Sequence, residues 1–386
     1  MLARTIAAAL CSFVIAGCAT NPPDLQPGKR PAADTNEAGY WMVADRLERR
    51  IKTSGRRIDD EELQTYVNEV ACRVSERYCG DLRVYVTRRA GFNAYMLPNG
   101  AMVLWSGLLL RMEDEAQLAT VIGHEIAHYE RRHTYQRRQQ ARIANNAALV
   151  FNVASAMAGV SNAGNIANLI AQGYVAAYSR EQERESDTLA VRKLSDAGYQ
   201  VAAAPEIWRD LIAERDAVEA DPPVPLFATH PPSDERLDAM EKQIGSMAGG
   251  AESRRFETRY LDHVLPHRGR WLEQELARGQ WARVEVLLDR LEKQGARPGE
   301  IAFYRGELHR QRRNEGDVAA AVAAFRRART LEGTPVEVHK SLGFALWRDD
   351  QPDAARSAFQ RYLNEAEAPE DAAMIRSYIQ QLEEAT

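Results

Sequence analysis

The stretch GHEIAHYERRH, Gly123 to His133, places three histidines and a glutamate within eleven residues. His124 and His128 are four positions apart, so on a helix they share a face and can reach one ion. Neutral imidazole suits Zn²⁺, and Glu125 is placed to act as general base toward a water activated at such an ion. That chemistry is hydrolysis. The apolar neighbours Ile122, Ile126 and Ala127 argue against a solvated helix with scattered histidines, because burying unpaired His and Glu is costly.

Two histidines leave the site incomplete. In the three-histidine arrangement on one segment, the third histidine follows the second by six residues, behind a glycine. Thr134 and Arg131 occupy those positions here, so His133 is one residue out of register. Its place at an arginine-rich helix end predicts a surface residue or a partner of the helix dipole. A His₂Glu site instead draws a carboxylate from another element. SREQERESDTLA, residues 179–190, offers Glu181, Glu183, Glu185 and Asp187. Glu183 and Asp187 are four apart, so one can bind metal while the other orients a ligand imidazole. Spacing does not choose among the three glutamates.

The elements that must carry these residues follow from periodicity. Leu118, Val121, Ile122 and Ile126 stripe a helix from about Asp114 to Arg132, and a second helix spans about Ala176–Ala197. Leu82–Thr87 alternates as a strand. FNAYMLPNGAMVLWSGLL reads as two strand-like runs around a Pro98-Asn99-Gly100 turn. Tyr40–Tyr78 is mostly helical. Residues 134–178 read as two packed helices with a Gly-rich turn, or as a mobile lid.

With 386 residues, 45% hydrophobic and 27% charged, the chain holds two or three domains. A net charge of −5 gives no reason to expect a nucleic-acid partner. The N-terminus has Arg4, an apolar run from Ile6 to Ala16, and Ile15-Ala16-Gly17-Cys18. This is the shape of a signal peptide ending in a lipobox, with Cys18 as the lipidated residue. Residues 1–18 are thus read as leader and 19–36 as a flexible Pro-rich tether. Cys11 leaves with the leader and Cys18 carries lipid, so Cys72 and Cys79 remain as a pair for an oxidising periplasm. On one continuous helix their Cα atoms would be about 10 Å apart, so the helix must end between them.

After Gly249 the texture turns to Arg/Ala/Glu/Leu-rich helices. Leu308 and Leu342, Ala321 and Ala355, and Phe325 and Phe359 are each 34 apart, the tetratricopeptide period. Such repeats stack into a surface that binds peptide or protein.

GHEIAH, the later Glu183/Asp187 pair, the THPP-x-x-x-R loop at residues 229–236 and FNAYMLPNG together resemble metallopeptidase family forty-eight, over about residues 60–245. Members include HtpX-type, CAAX-prenyl-protease-type and BepA-like enzymes; lipobox, peptidase and repeats together most resemble the BepA-like group, with a lipid anchor as in LoiP-like members. Ser186 stands where the family's S-R-x-x-E-x-x-A-D motif usually has alanine. The resemblance implies Glu183 as third zinc ligand, Asp187 as its supporting partner, and Asn93, Ala94, Tyr95 and Met96 as a substrate-binding strand beside the cleft. It implies that His230 can occupy zinc's open position and hold the enzyme latent. Arg236 aligns with a family arginine and is given a structural or transition-state role.

The expected fold is α+β and mainly α. A gluzincin-type zinc metalloprotease domain with a small sheet, residues 37–248, precedes a tetratricopeptide-like solenoid, residues 265–386. The expected activity is a zinc endopeptidase with one Zn²⁺ per chain. It would act on unfolded or misassembled envelope proteins from a lipid anchor on the periplasmic side of a Gram-negative outer membrane, and the repeats would contact assembly machinery. The competing class is an assembly factor or chaperone with a latent zinc site. No membrane span follows the leader, which disfavours membrane-embedded prenyl-protein processing.

Overall fold

The computed structural model describes residues 22–142, 178–217, 230–231, 233–247 and 254–384. The leader, Cys18 and residues 143–177 lie outside them, while residues 133–142 are helical. Among the described residues the chain is mostly helical around one small sheet. No described helix is long and apolar enough to cross a membrane.

Helix α1 (Asn36–Lys52) starts at Thr35, whose side chain accepts from the Ala38 N–H. Helix α2 (Glu61–Val74) starts at Asp60 in the same way, through the Leu63 N–H. Tyr40–Tyr78 is therefore two helices. The second ends at Val74 and a 3₁₀ turn, Glu76–Tyr78, follows. That break brings the Cα atoms of Cys72 and Cys79 to 4.6 Å, and the two are disulfide-bonded.

Strands β1 (Arg83–Thr87), β2 (Ala94–Met96) and β3 (Ala101–Trp105) form a sheet in the order β1-β3-β2. β1 runs parallel to β3, with Val84 opposite Met102. β2 runs antiparallel, with Tyr95 opposite Val103, and so forms an edge. The turn between β2 and β3 depends on Gly100. Its φ is +88°, and a Cβ there would overlap the Asp81 carbonyl.

A short helix α3 (Ser106–Leu109) leads to α4 (Glu115–Glu130), which Asp114 caps through the Gln117 N–H. Every residue of α4 from Glu115 to Tyr129 is buried. It lies between the sheet, α2 and α5 (Arg180–Asp196). Gly123 permits that approach, since an added Cβ would press on Val74 and Ala190. Helix α5 opens with a reciprocal cap between Ser179 and Gln182, later than the Ala176 start read from periodicity. Helix α7 (Asp234–Ser246) packs on α5, and α6 (Ala203–Asp216) packs on α4 and α7.

The segment expected as a flexible tether is pinned from Pro22 onward. Leu25 is buried; its N–H donates to the Glu130 carbonyl at 2.9 Å, and its carbonyl accepts from the Tyr78 hydroxyl at 2.6 Å. Arg131 holds Asp24 and Arg132 reaches the Pro23 carbonyl. Proline-rich composition marked the segment as irregular; the end of α4 supplied the partners that fix it.

Seven further helices complete the described chain. They are α8 (Glu257–Leu276), α9 (Trp281–Gln294), α10 (Pro298–Arg312), α11 (Asp317–Ala328), α12 (Glu337–Arg348), α13 (Pro352–Glu365) and α14 (Ala372–Glu384). Consecutive helices from α9 onward pack on one another in sequence order. Helix α8 begins well before residue 265 and packs on the peptidase side: Arg259 holds Glu115, and the Tyr260 hydroxyl donates to the Leu109 carbonyl. The 34-residue spacing holds on α11 and α13, where Phe325 and Phe359 are fully buried. On the preceding helices the residues that accept these rings are Gly306 and Gly343, which are not one period apart. The 34-residue spacing also holds on those helices for Leu308 of α10 and Leu342 of α12, both buried.

Candidate metal centre

His124 and His128 point from α4 toward Glu183 of α5 and His230, and all four residues are buried. One ligand atom from each lies within 4.8 Å of the others. His124 Nε2 is 3.0 Å from His128 Nε2 and 3.2 Å from His230 Nδ1. Glu183 Oε1 is 2.9 Å from His230 Nδ1 and 3.4 Å from His128 Nε2. Ligands at Zn–N distances of about 2.0–2.1 Å on a tetrahedron are about 3.3 Å apart. These separations are those of donors that converge on one ion.

Each α4 histidine has a polar partner on its far side, which favours Nε2 as the ligating atom. His124 Nδ1 is 3.0 Å from Asp187 Oδ1, leaving Nε2 as the donor atom. His128 Nδ1 is 2.9 Å from Nδ1 of His133, whose Nε2 is 3.2 Å from Glu185 Oε2. A consistent set has His128 donating to His133 and His133 donating to Glu185. His133 is thus buried, not at the surface. Its register excluded it as a ligand, and that same register sets it behind His128. Nothing in the spacing rules signalled that role; the chain reversal at Arg132, with φ 57°, produces it.

Arg236 binds Asp187 through two parallel bonds of 2.7 and 2.8 Å. Its Nη1 donates to the Pro231 carbonyl at 2.9 Å and lies 2.8 Å from Glu183 Oε2. One guanidinium therefore links the loop carrying His230 to both carboxylates, a role sequence left at structure or transition-state support.

The electrostatics follow from burial and these partners. Burial alone would raise the Asp187 carboxyl, but Arg236 and His124 hold it below the usual range. Burial also acts to raise Glu183, and the three facing histidines hold it well below. His128 is pushed well down, by burial first. His124 is raised to about 9, because hydrogen bonds to Asp187 and Glu183 outweigh its burial. Anionic carboxylates and the neutral His128 imidazole suit a divalent cation, and His124 must release its Nε2 proton when the ion binds. Glu125 is also buried, and its Oε1 has no hydrogen-bond partner among the described residues. That oxygen lies 3.5 Å from His230 Nε2. The His230 ring is thus between Glu125 and the converging ligand atoms.

Asn93, Ala94, Tyr95 and Met96 fall on or next to edge strand β2. Met96, Leu97 and Pro98 share a groove with His128 and Thr134.

A paired HExxH on a buried helix, with a carboxylate from a later helix, is the donor arrangement of zinc-dependent metallopeptidases. Residues 57–244, just under half of the chain, match Peptidase family M48. Among known proteins, the putative beta-barrel assembly-enhancing protease of Vibrio cholerae is 30% identical over 213 residues, 52% of this chain and 43% of that protein. The beta-barrel assembly-enhancing protease of Escherichia coli K12 is 24% identical over 258 residues, covering 64% and 52%. The mitochondrial metalloendopeptidase OMA1 of Schizosaccharomyces pombe is 28% identical over 185 residues, covering 46% and 52%. The matches span about half the length of these relatives.

Proposed function

We propose that the protein is a zinc endopeptidase in which His124, His128 and Glu183 hold one Zn²⁺ and Glu125 is the general base. Bound zinc would supply a Lewis acid that polarises the scissile carbonyl and makes water acidic enough to attack. Glu125 takes the proton from the attacking water at a carboxylate oxygen and delivers it to the leaving amine nitrogen. Asp187 and His133 keep the two imidazoles in the ligating tautomer. The substrate lies extended along Asn93–Met96, pairing with the free edge of β2 through its backbone. The observation that carries this reading is the convergence of four buried ligand atoms within 4.8 Å of one another beside an unpartnered Glu125 oxygen.

His230 is proposed as a fourth zinc ligand in the resting state. With its Nδ1 among the ligand atoms and its Nε2 toward Glu125, it stands where the attacking water must sit. This supports a second reading, an assembly factor whose peptidase is latent until the His230 loop moves. The relatives' names, beta-barrel assembly-enhancing protease, suit misassembled envelope proteins as substrates and a place in outer-membrane protein assembly. Lipidation at Cys18 would hold the protein at the outer membrane on the periplasmic side. Helices from α8 onward are proposed to form a tetratricopeptide-type surface for protein partners.

The deciding experiment uses full-length Glu125→Gln protein with zinc content equal to wild type. It should no longer cleave an unfolded substrate. Undiminished cleavage would exclude the mechanism. If the variant keeps its cellular role while deletion of residues 271–386 abolishes it, the assembly-factor reading is the right one.

A further inference from the structure

Helix α1 turns one face outward that no other described residue covers. At about 100° per residue, Gly39, Met42, Val43, Arg46, Leu47 and Arg50 share roughly 140° of its circumference, and all six are exposed. Met42 is 60% exposed, Val43 43% and Leu47 40%; the other exposed large apolar side chain among the described residues is Met374 on α14. Arg46 and Arg50 run along the middle of the face, with Met42 on one flank and Val43 and Leu47 on the other. Neither guanidinium has a partner among the described residues. The acids of α1 lie elsewhere: Glu37 is bound to Arg132, Glu48 to Arg83, and Asp45 to Arg30 and Asn99. In a chain of net charge −5, this face is cationic, apolar and free of carboxylates.

The pinned N-terminal segment starts beside this helix. The Pro23 carbonyl accepts from Arg132 Nη1 at 3.1 Å, and the same guanidinium holds Glu37 in the first turn of α1. Cys18 is five residues before Pro23, a reach of at most about 18 Å when fully extended. A helix with its side chains is about 10–12 Å across. That reach covers the helix diameter, but it is too short to let the domain stand far off a surface to which Cys18 is anchored.

We propose that the outward face of α1 docks on an anionic phospholipid surface. Arg46 and Arg50 reach lipid phosphates, which suit the guanidinium fork, and their stems lie among the apolar side chains. Met42, Val43 and Leu47 enter the boundary between headgroups and acyl chains, as the apolar side of a helix lying in the interface does. The short reach rests on the lipidation of Cys18 proposed above; the chemistry of the face does not. Docking places the proposed substrate strand beside the membrane, because Asn99 in the β2–β3 turn donates to Asp45 and Glu48 of α1 at 2.9 and 2.7 Å.

The test uses the full chain, processed in a bacterial envelope and reconstituted on vesicles of phosphatidylcholine and phosphatidylglycerol. Leu47→Cys carries an NBD fluorophore, and quenching by doxyl-labelled lipid reads its depth; Cys72 and Cys79 are disulfide-bonded and do not take the label. Quenching should exceed that of the same label at Met374→Cys at least threefold. Arg46→Glu with Arg50→Glu should reduce it at least threefold, with Tm and Cys18 acylation, the latter read by mass spectrometry, unchanged. Quenching at Leu47→Cys with Cys18 unacylated would support the docking face and remove the lipidation reading. Acylated Cys18 with the Leu47→Cys label no more quenched than the Met374→Cys label overturns the proposal. Full quenching in the charge-reversed protein also overturns it, and so does a label equally shielded without vesicles, which would assign the face to a second copy of the chain.

Discussion

His133 stands directly behind His128, with their Nδ1 atoms 2.9 Å apart, and passes the contact on to Glu185 at 3.2 Å. A ligand histidine needs its second nitrogen held so that Nε2 keeps a free lone pair. Removing such a partner typically weakens metal binding 10–100-fold. His133→Ala should therefore lower zinc affinity by about that factor, measured by competition with a chromogenic chelator. A purely structural His133 would lower Tm without moving the zinc Kd, and that result would remove it from the site.

The position of His230 gives the opposite expectation. Its ring separates Glu125 from the ligand atoms, so His230→Ala opens the place where water must sit. Cleavage of an unfolded protein such as casein should rise several-fold in His230→Ala and vanish when Glu125→Gln is added. Zinc content should stay at one ion per chain, held by the remaining three ligands. Reduced cleavage with zinc retained would mean that His230 assists the reaction and does not block it.

The sheet that presents β2 is tied to α1 through Glu48, and that tie is sensitive to acid. Glu48 takes two bonds from Arg83, at 2.8 and 2.7 Å, one from the Tyr85 hydroxyl and one from Asn99 in the β2–β3 turn. The Arg83 bonds pull its carboxyl down to about 2, against burial, with Tyr85 adding to the effect. A lowered folded-state value contributes stability above the unfolded carboxyl pKa, near 4.5, and loses it as pH falls toward 2. Glu48→Gln should cost about 1–2 kcal/mol at pH 7, the partial exposure of Arg83 being allowed for. The difference from wild type should shrink between pH 4.5 and 2 in urea titrations; a difference that stays constant across that range would rule out the ionised pair as its source.

The chemistry was legible where one helix carries it. His124, Glu125 and His128 lie on a single face, and four-residue spacing suffices to read that. Glu183 needed family resemblance, because Glu181, Glu183 and Glu185 are equally plausible from spacing; in the fold Glu183 is buried among the histidines and Glu185 stands behind His133. His133 could not be read at all, since its role depends on the left-handed turn at Arg132. The hairpin was visible through Pro98-Asn99-Gly100, but β2 as an edge depends on β1 pairing parallel with β3, a long-range choice. The pinned segment at Leu25 was missed for a similar reason: its partners, Tyr78 and Glu130, are distant in sequence.

Buried charge joins the peptidase side to the C-terminal helices. Arg111 is almost fully buried between Glu214 of α6, at 2.8 Å, and Glu275 of α8, at 2.6 Å. Glu275 also accepts the N–H of Gly91, just before the loop that enters β2. Helix α8 thus holds the approach to the proposed substrate strand. Arg111→Ala would strand two carboxylates inside, and breaking a buried ion pair in this way costs about 3–5 kcal/mol. The two faces should be coupled: Arg111→Ala combined with Glu275→Gln should cost clearly less than the sum of the single changes. Chemical denaturation of the three variants measures this. Strict additivity would show that α8 does not hold the β2 approach through Arg111, and that the two halves are energetically separate.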